Sequence, residues 1–223
     1  DLIGKRMSDI TPKDLAEFRD RRLDEVAPSS VNRELNIISA VFSTAIKEWE
    51  WVEVNPISKI RRPKDPPPRN RRISPDERDA IIAELTTDNE QEVKTMFLLA
   101  LESAMRLGEI CGIRKKDIRG HYVTLPDTKN GESRDVPLTP RAQELVREFT
   151  ITPALASKLF AGAVKRAGIK NLTFHDSRHE ATIFLASKLD VMDLAKVGGW
   201  KDLKILLNTY YAPTASDLAA KLR

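Results

Sequence analysis

Two arginines in apolar company are the first residues of this chain that call for a chemical explanation. Arg106 lies in AMRLGEI (104–110), just beyond the apolar run Met96 to Leu101, with Glu109 three positions on. Arg178 lies in FHDSRHEAT (174–182), one helical turn after His175. A guanidinium taken out of water without a counter-charge is costly. Each arginine therefore either pairs with its neighbouring acid, Arg106 with Glu109 and Arg178 with Asp176, or is held for an anionic ligand. Three further elements share the pattern. Lys129 stands beside Asn130-Gly131 in DTKNGESRDVPL (127–138), Trp200 follows Gly198-Gly199, and Tyr210-Tyr211 precede Pro213. Guanidinium forks match the oxygens of a phosphate, and an indole N–H donates but cannot accept a proton.

Other chemistries fit less well. The nine glycines are scattered, and none sits in a GxxxxGK[ST] phosphate loop. His175 and His179 have the spacing of two zinc ligands on a helix, but Asp-Ser-Arg lies between them, and an arginine there opposes a cation. Acids abound, so a two-metal carboxylate site is harder to set aside, although no clustered pair stands out in a buried setting; no cofactor is expected. One cysteine, Cys111, excludes an internal disulfide framework and fits a reducing compartment.

The elements that must position these residues are mostly helices. Thr11-Pro12-Lys13-Asp14 reads as a helix start, with a hydroxyl cap, proline in the first turn and an acid behind it. After Ser29-Ser30, the residues Val31, Leu35, Ile38, Phe42, Ala45 and Trp49 recur in steps of three and four, which predicts one helix with an apolar face ending before Asn55-Pro56. Trp49, Trp51 and Cys111 are expected in the core. Ser74-Pro75-Asp76-Glu77 opens a second region, and Glu92 to Met105 reads as a buried helix. From Asp117 to Leu138 short β-prone pieces around Asn130-Gly131 predict a hairpin. Thr139-Pro140 and Thr152-Pro153 open further helices, and the remainder to Arg223 is helical in character. The expected fold is mainly α, with a small antiparallel sheet in the second domain.

Composition and charge narrow the class. With 223 residues, 41% hydrophobic and 31% charged, the chain has enough apolar surface for one large or two modest cores, and its longest apolar run is too short for a membrane span. The formal charge is +4, yet residues 61–72 alone carry +5 through Arg61, Arg62, Lys64, Arg69, Arg71 and Arg72 against Asp65. Four of the 13 prolines fall in that stretch, which favours extended backbone and a boundary between domains. A small helical domain is placed at 1–62, a basic linker at 63–72 and a larger domain at 73–223. The basic stretch suits either a solvated linker or a contact with phosphates, where each cation releases a counterion.

Taken together, the ordered set Arg-x-x-Glu, Lys on a hairpin, His-x-x-Arg, Gly-Trp and Tyr resembles the tyrosine recombinases, or phage-type integrases, and the resemblance covers nearly the whole chain. It implies a core-binding domain at the N-terminus, its first helix cut away and an arm-binding domain missing, followed by a catalytic domain, the two clamping duplex DNA. It implies a tyrosine that attacks a backbone phosphodiester, giving a 3′-phosphotyrosine and a free 5′-hydroxyl without metal or ATP. Arg106, His175, Arg178 and Trp200 would hold the phosphate, Lys129 would protonate the leaving oxygen, and Glu109 would orient the set. Tyr210 would be the nucleophile and Tyr211 the runner-up; Trp200 stands where a second histidine is usual, and His179 is structural. The six cations of residues 61–72 would line the phosphates. The resemblance also implies a cytoplasmic protein, monomeric in isolation and tetrameric on paired sites. A catalytically silent DNA-binding module of the same fold, and relaxation of supercoils as by type IB topoisomerases, are the alternatives.

Overall fold

The computed structural model describes residues 2–67, 70–126 and 133–210. Arg69, Lys129, the Asn130-Gly131 turn and Tyr211 lie outside the described residues. The chain divides into two compact units, Asp1–Arg69 and Asn70–Arg223, a division that falls within the basic, proline-rich stretch.

In the first unit, α1 (Pro12–Glu25) begins where Thr11 and Asp14 cap one another: the Thr11 hydroxyl accepts from the Asp14 backbone N–H, and the Asp14 carboxylate accepts from Thr11 N at 2.9 Å. Helix α2 (Pro28–Lys47) packs on α1 through Leu15, Val31 and Leu35, with Ile57 from the short 3-10 turn Pro56–Lys59 completing the core. Arg22 of α1 grips Glu34 of α2 with two bonds of 2.9 and 2.7 Å. The stripe on α2 holds as far as Ala45 and then fails. The helix ends at Lys47, and Glu50 adopts a left-handed φ of 52° that turns the chain aside. Trp49 is therefore 44% and Trp51 64% exposed, their rings 4.6 Å apart, rather than in the core. Beyond the turn, residues 61–65 lie along the same unit: Arg19 donates to the Arg61 carbonyl at 2.7 Å, and Asn32 to that of Pro63 at 3.0 Å.

The second unit is built on α4 (Asp88–Ser103). It follows α3 (Pro75–Glu84), whose Ser74 and Glu77 cap one another as the sequence implies. Helix α4 begins four residues earlier than its apolar pattern suggests, because Glu90 reaches back to the backbone N–H of Thr87 at 3.0 Å. It also ends two residues earlier, since Ala104 takes a left-handed conformation with φ 54°. The short α5 (Leu107–Gly112) follows, and then a hairpin of β1 (Tyr122–Leu125) and β2 (Arg134–Pro137), antiparallel with Val123 opposite Val136 and Leu125 opposite Arg134. Helices α6 (Pro140–Leu145) and α7 (Pro153–Arg166) start at the two Thr-Pro pairs, and α8 (His175–Ala186) completes the layer around α4.

Phe97, Phe160 and Phe174 meet at the centre of that layer, with ring centroids 5.0 to 6.2 Å apart. Cys111 belongs to this core, as expected, and burial pushes its thiol up to about 11. Helices α9 (Val191–Gly198) and α10 (Leu203–Thr209) form a smaller cluster of their own around Leu194, Ala195 and Leu206. Among the described residues, no helix is long and apolar enough to cross a membrane.

Candidate active site

The early end of α4 creates the first half of the site. Ser103 folds its hydroxyl back onto the Leu99 carbonyl at 2.6 Å, and the left-handed Ala104 reverses the chain, so that Arg106 becomes the residue before α5. Glu109, in the first turn of α5, accepts from the Arg106 backbone N–H at 2.8 Å and from its Nη1 at 2.7 Å. The pairing of Arg106 with Glu109 suggested by their spacing is thus present. Burial opposes the charge on Glu109, but hydrogen bonds from Arg134 and Arg106 outweigh it and hold the carboxyl below its ordinary range.

Arg178 behaves differently. Asp176 is turned back to cap the start of α8, accepting from Thr173 N at 2.7 Å and Thr173 Oγ1 at 3.0 Å. Among the described residues, the Arg178 guanidinium donates to no carboxylate; it donates to the carbonyls of Ala104 at 2.5 Å and Gly198 at 2.8 Å. The Trp200 ring lies over it, 4.3 Å from Cζ to centroid. Arg178 is only 4% exposed, and burial together with the nearby Arg106 cation lowers its pKa to about 10. It remains a cation at neutral pH, taken from water and, among the described residues, without a carboxylate partner.

His175, the first residue of α8, is exposed, and with Arg106, Arg178, Ser157 and Thr173 it lines a cavity of about 200 Å³. Partial burial of its ring, Arg178 and Arg106 push its imidazole below the ordinary value, which keeps it neutral at pH 7. Tyr210 caps the end of α10, with its ring 5.9 Å from that of Trp200 and 5.0 Å from that of His179. Burial raises the phenol's pKa, and Arg178 pulls it back in part. His179 is buried among packing contacts and meets Asn70 Oδ1 at 3.1 Å.

Arg106, Glu109, His175, Arg178, Trp200 and Tyr210 therefore gather in one region, although they come from four separate stretches of chain. The sequence reading missed Arg134 on β2. Its guanidinium is 9% exposed and donates to both Glu109 oxygens, at 3.0 and 2.8 Å, and through Nε to the Val197 carbonyl at 3.0 Å. Flanked by Ser133 and Asp135, it carries no local signal of burial.

The basic stretch divides into two groups. Arg61, Arg62 and Lys64 are exposed and, among the described residues, make no ion pair with a carboxylate. Arg71 is paired with Glu77, and Arg72 grips Glu180 with bonds of 2.8 and 2.7 Å. Among the described residues, no group of three His, Cys, Asp or Glu side chains is placed to hold a metal ion.

Two glycines make room for the cluster. Gly199 takes a left-handed φ of 68°, and a Cβ there would come within 3.1 Å of the Arg134 guanidinium. A Cβ on Gly198 would fall 1.6 Å from the Trp200 ring. Gly198→Ala should therefore displace the indole from Arg178 and lower stability by about 1–3 kcal/mol, the usual cost of overpacking, read from the midpoint of denaturant unfolding.

The Phage integrase family model matches residues 71–154 and 150–217, and the Phage integrase N-terminal domain model matches residues 2–64. A putative integrase/recombinase of Haemophilus influenzae is 34% identical, the match covering 99% of this chain and 79% of the relative. The shufflon-specific DNA recombinase of Escherichia coli is also 34% identical, over 98% of this chain and 62% of its own length. Among solved structures, a lambda integrase dimer bound to a core site superposes with a TM-score of 0.79 at 20% identity, covering 95% of this chain and 83% of that one. At that identity the likeness speaks for the fold, which in both is the mainly helical arrangement described above.

Proposed function

Since the chain belongs to the phage integrase family of site-specific tyrosine recombinases, we propose that it cuts and rejoins duplex DNA with Tyr210 as the nucleophile. The observation that carries this reading is Arg178: a buried cation with no carboxylate partner among the described residues, bracketed by Arg106, Trp200 and Tyr210. A charge so placed raises the free energy of the empty protein and lowers it when an anion arrives.

In this mechanism a backbone phosphate sits between the Arg106 and Arg178 guanidiniums. Tyr210 Oη attacks phosphorus, and its proton passes to solvent. The bond from phosphorus to the 5′-oxygen breaks, and Lys129 supplies the proton that oxygen needs. The products are a 3′-phosphotyrosyl ester and a free 5′-hydroxyl. Attack by a 5′-hydroxyl from another strand reverses each bond change, so no external energy source enters. Charge gathers on the non-bridging oxygens, where the two guanidiniums, neutral His175 and the donor-only indole of Trp200 can receive it. Glu109 neither attacks nor transfers a proton; it fixes Arg106.

Among the described residues, Arg61, Arg62 and Lys64 are the cations of the basic stretch available for further phosphates; Arg71 and Arg72 would first have to leave Glu77 and Glu180. Exchange between two duplexes requires four strand cuts, and each copy brings one nucleophile, so the proposed working unit is a tetramer on paired sites.

The test is covalent trapping. Duplex sites are enriched by the protein from a random-sequence pool, nicked near the cleavage position, and incubated with the protein in EDTA before denaturing electrophoresis. A protein–DNA adduct that forms in EDTA on the nicked duplex, and strands joined between two different sites on intact duplexes, are expected. Binding without any adduct overturns the reading in favour of a silent DNA-binding module, and rejoining only within one duplex favours strand relaxation.

A further inference from the structure

We infer that Arg134 is a positioning residue for the two phosphate-holding arginines, acting through Glu109 and the Val197–Gly198 backbone. The inference rests on the reading of the site as a phosphodiester cradle and adds a residue to it.

The argument is one of connectivity. Arg106 is fixed by Glu109, through its backbone N–H at 2.8 Å and its guanidinium at 2.7 Å. Glu109 is fixed in turn by Arg134, whose two terminal nitrogens span both carboxylate oxygens at 3.0 and 2.8 Å. The third donor of Arg134, Nε, takes the Val197 carbonyl at 3.0 Å, and the next carbonyl along, that of Gly198, takes Arg178 at 2.8 Å. Arg178 then returns to the Ala104 carbonyl at 2.5 Å, two residues before Arg106. The path is closed: Arg106, Glu109, Arg134, Val197–Gly198, Arg178, Ala104, and back to Arg106.

Within this ring Arg134 is the side chain that joins α5 to the end of α9. No other residue type matches its task. Two parallel bonds to a carboxylate and a third, divergent bond to a carbonyl need a planar fork with a separate Nε–H; an ammonium has donors enough but not that geometry. Arg134 is also the residue against which Gly199 is accommodated, since a Cβ at that position would lie 3.1 Å from its guanidinium. If the fork is lost, Glu109 keeps only Arg106, and the Val197 carbonyl loses its donor. The separation between the Arg106 and Arg178 guanidiniums is then free to relax. Displacement of a catalytic group by about 1 Å can slow a reaction about a hundredfold.

The experiment compares wild type, Arg134→Met and Arg134→Lys in single-turnover cleavage at saturating DNA. Each is measured on the same enriched site with either a normal phosphodiester or a neutral methylphosphonate at the scissile position. The methylphosphonate has one charged oxygen fewer, so its cleavage depends less on where the guanidiniums stand. The expected result is cleavage of the phosphodiester slowed about a hundredfold by Arg134→Met and by an intermediate factor by Arg134→Lys. The dissociation constant for DNA should stay within a few-fold of wild type, and the deficit on methylphosphonate should be clearly smaller. Wild-type rates in both variants overturn the inference. So does equal slowing on the two substrates, or loss of cooperative unfolding in both variants, each of which makes Arg134 a purely structural residue. Absence of an adduct with the wild-type protein is a different outcome, which refutes the recombinase reading itself.

Discussion

Tyr210→Phe is expected to abolish the covalent protein–DNA adduct completely while changing DNA affinity by no more than about twofold. The phenylalanine keeps the ring that packs between Trp200 and His179 and removes only the oxygen. The guanidiniums of Arg106 and Arg178 offer no attacking atom, and an adduct through His175 would be a phosphoramidate, or through Ser157 or Thr173 of the same cavity an alkyl ester, each distinguishable from a phosphotyrosyl ester by its acid and base stability. Tyr211→Phe is the paired control and should retain the adduct. The comparison is read on denaturing gels, with affinity taken from a salt-matched binding titration. Persistence of the adduct in Tyr210→Phe and its loss in Tyr211→Phe would move the nucleophile one residue along the chain.

Arg178→Met is expected to lower the single-turnover cleavage rate by about 10³-fold or more, the scale seen when a guanidinium is withdrawn from a phosphoryl group in transit. Its effect on folding should be far smaller. Two opposing contributions nearly offset each other. Removing the cation relieves the burial that holds Arg178 down to about 10. It also leaves the Ala104 and Gly198 carbonyls without their donor, which costs about 1–3 kcal/mol for each buried group left unpaired. The melting temperature should therefore lie within a few degrees of wild type. A protein that has lost both cleavage and cooperative unfolding would show that Arg178 serves the core rather than the phosphate.

Where the chain announces its own structure, the signals are local. Thr11-Pro12, Ser74-Pro75, Thr139-Pro140 and Thr152-Pro153 each open a helix because cap and proline act within four residues of one another. The Thr87–Glu90 cap is equally local, but it lies in a polar stretch outside the apolar run, and the periodicity of α4 does not reveal it. Trp49 fits the α2 stripe by spacing alone; the turn at Glu50 that ejects it is a backbone conformation that periodicity does not encode.

The same distinction governs the site. The types and order of the candidate residues Arg106, Glu109, His175, Arg178, Trp200 and Tyr210 are marked in the sequence by short motifs. Two features are not. Arg178 is held by backbone carbonyls, which leave no trace in residue identity. Arg134 meets a carboxylate 25 positions away in sequence and a carbonyl 63 away, contacts that exist only once the hairpin has folded against α5 and α9.

Tyr210 and Trp200 pack not on the main core but on the small one formed by Leu194, Ala195 and Leu206. With so small a buried cluster beneath it, α10 is expected to open at a fraction of the free energy that global unfolding requires. Arg178 and Arg134 are bonded to the Gly198 and Val197 carbonyls at the end of α9, so an opening that leaves the arginines in place is one confined to α10. On the proposed mechanism, holding the phosphate and delivering the hydroxyl thus become separable events with separate clocks. On the same mechanism, whatever grips α10 can advance or delay the cut without altering the cradle, and the schedule of the reaction is written in the smallest of the described cores.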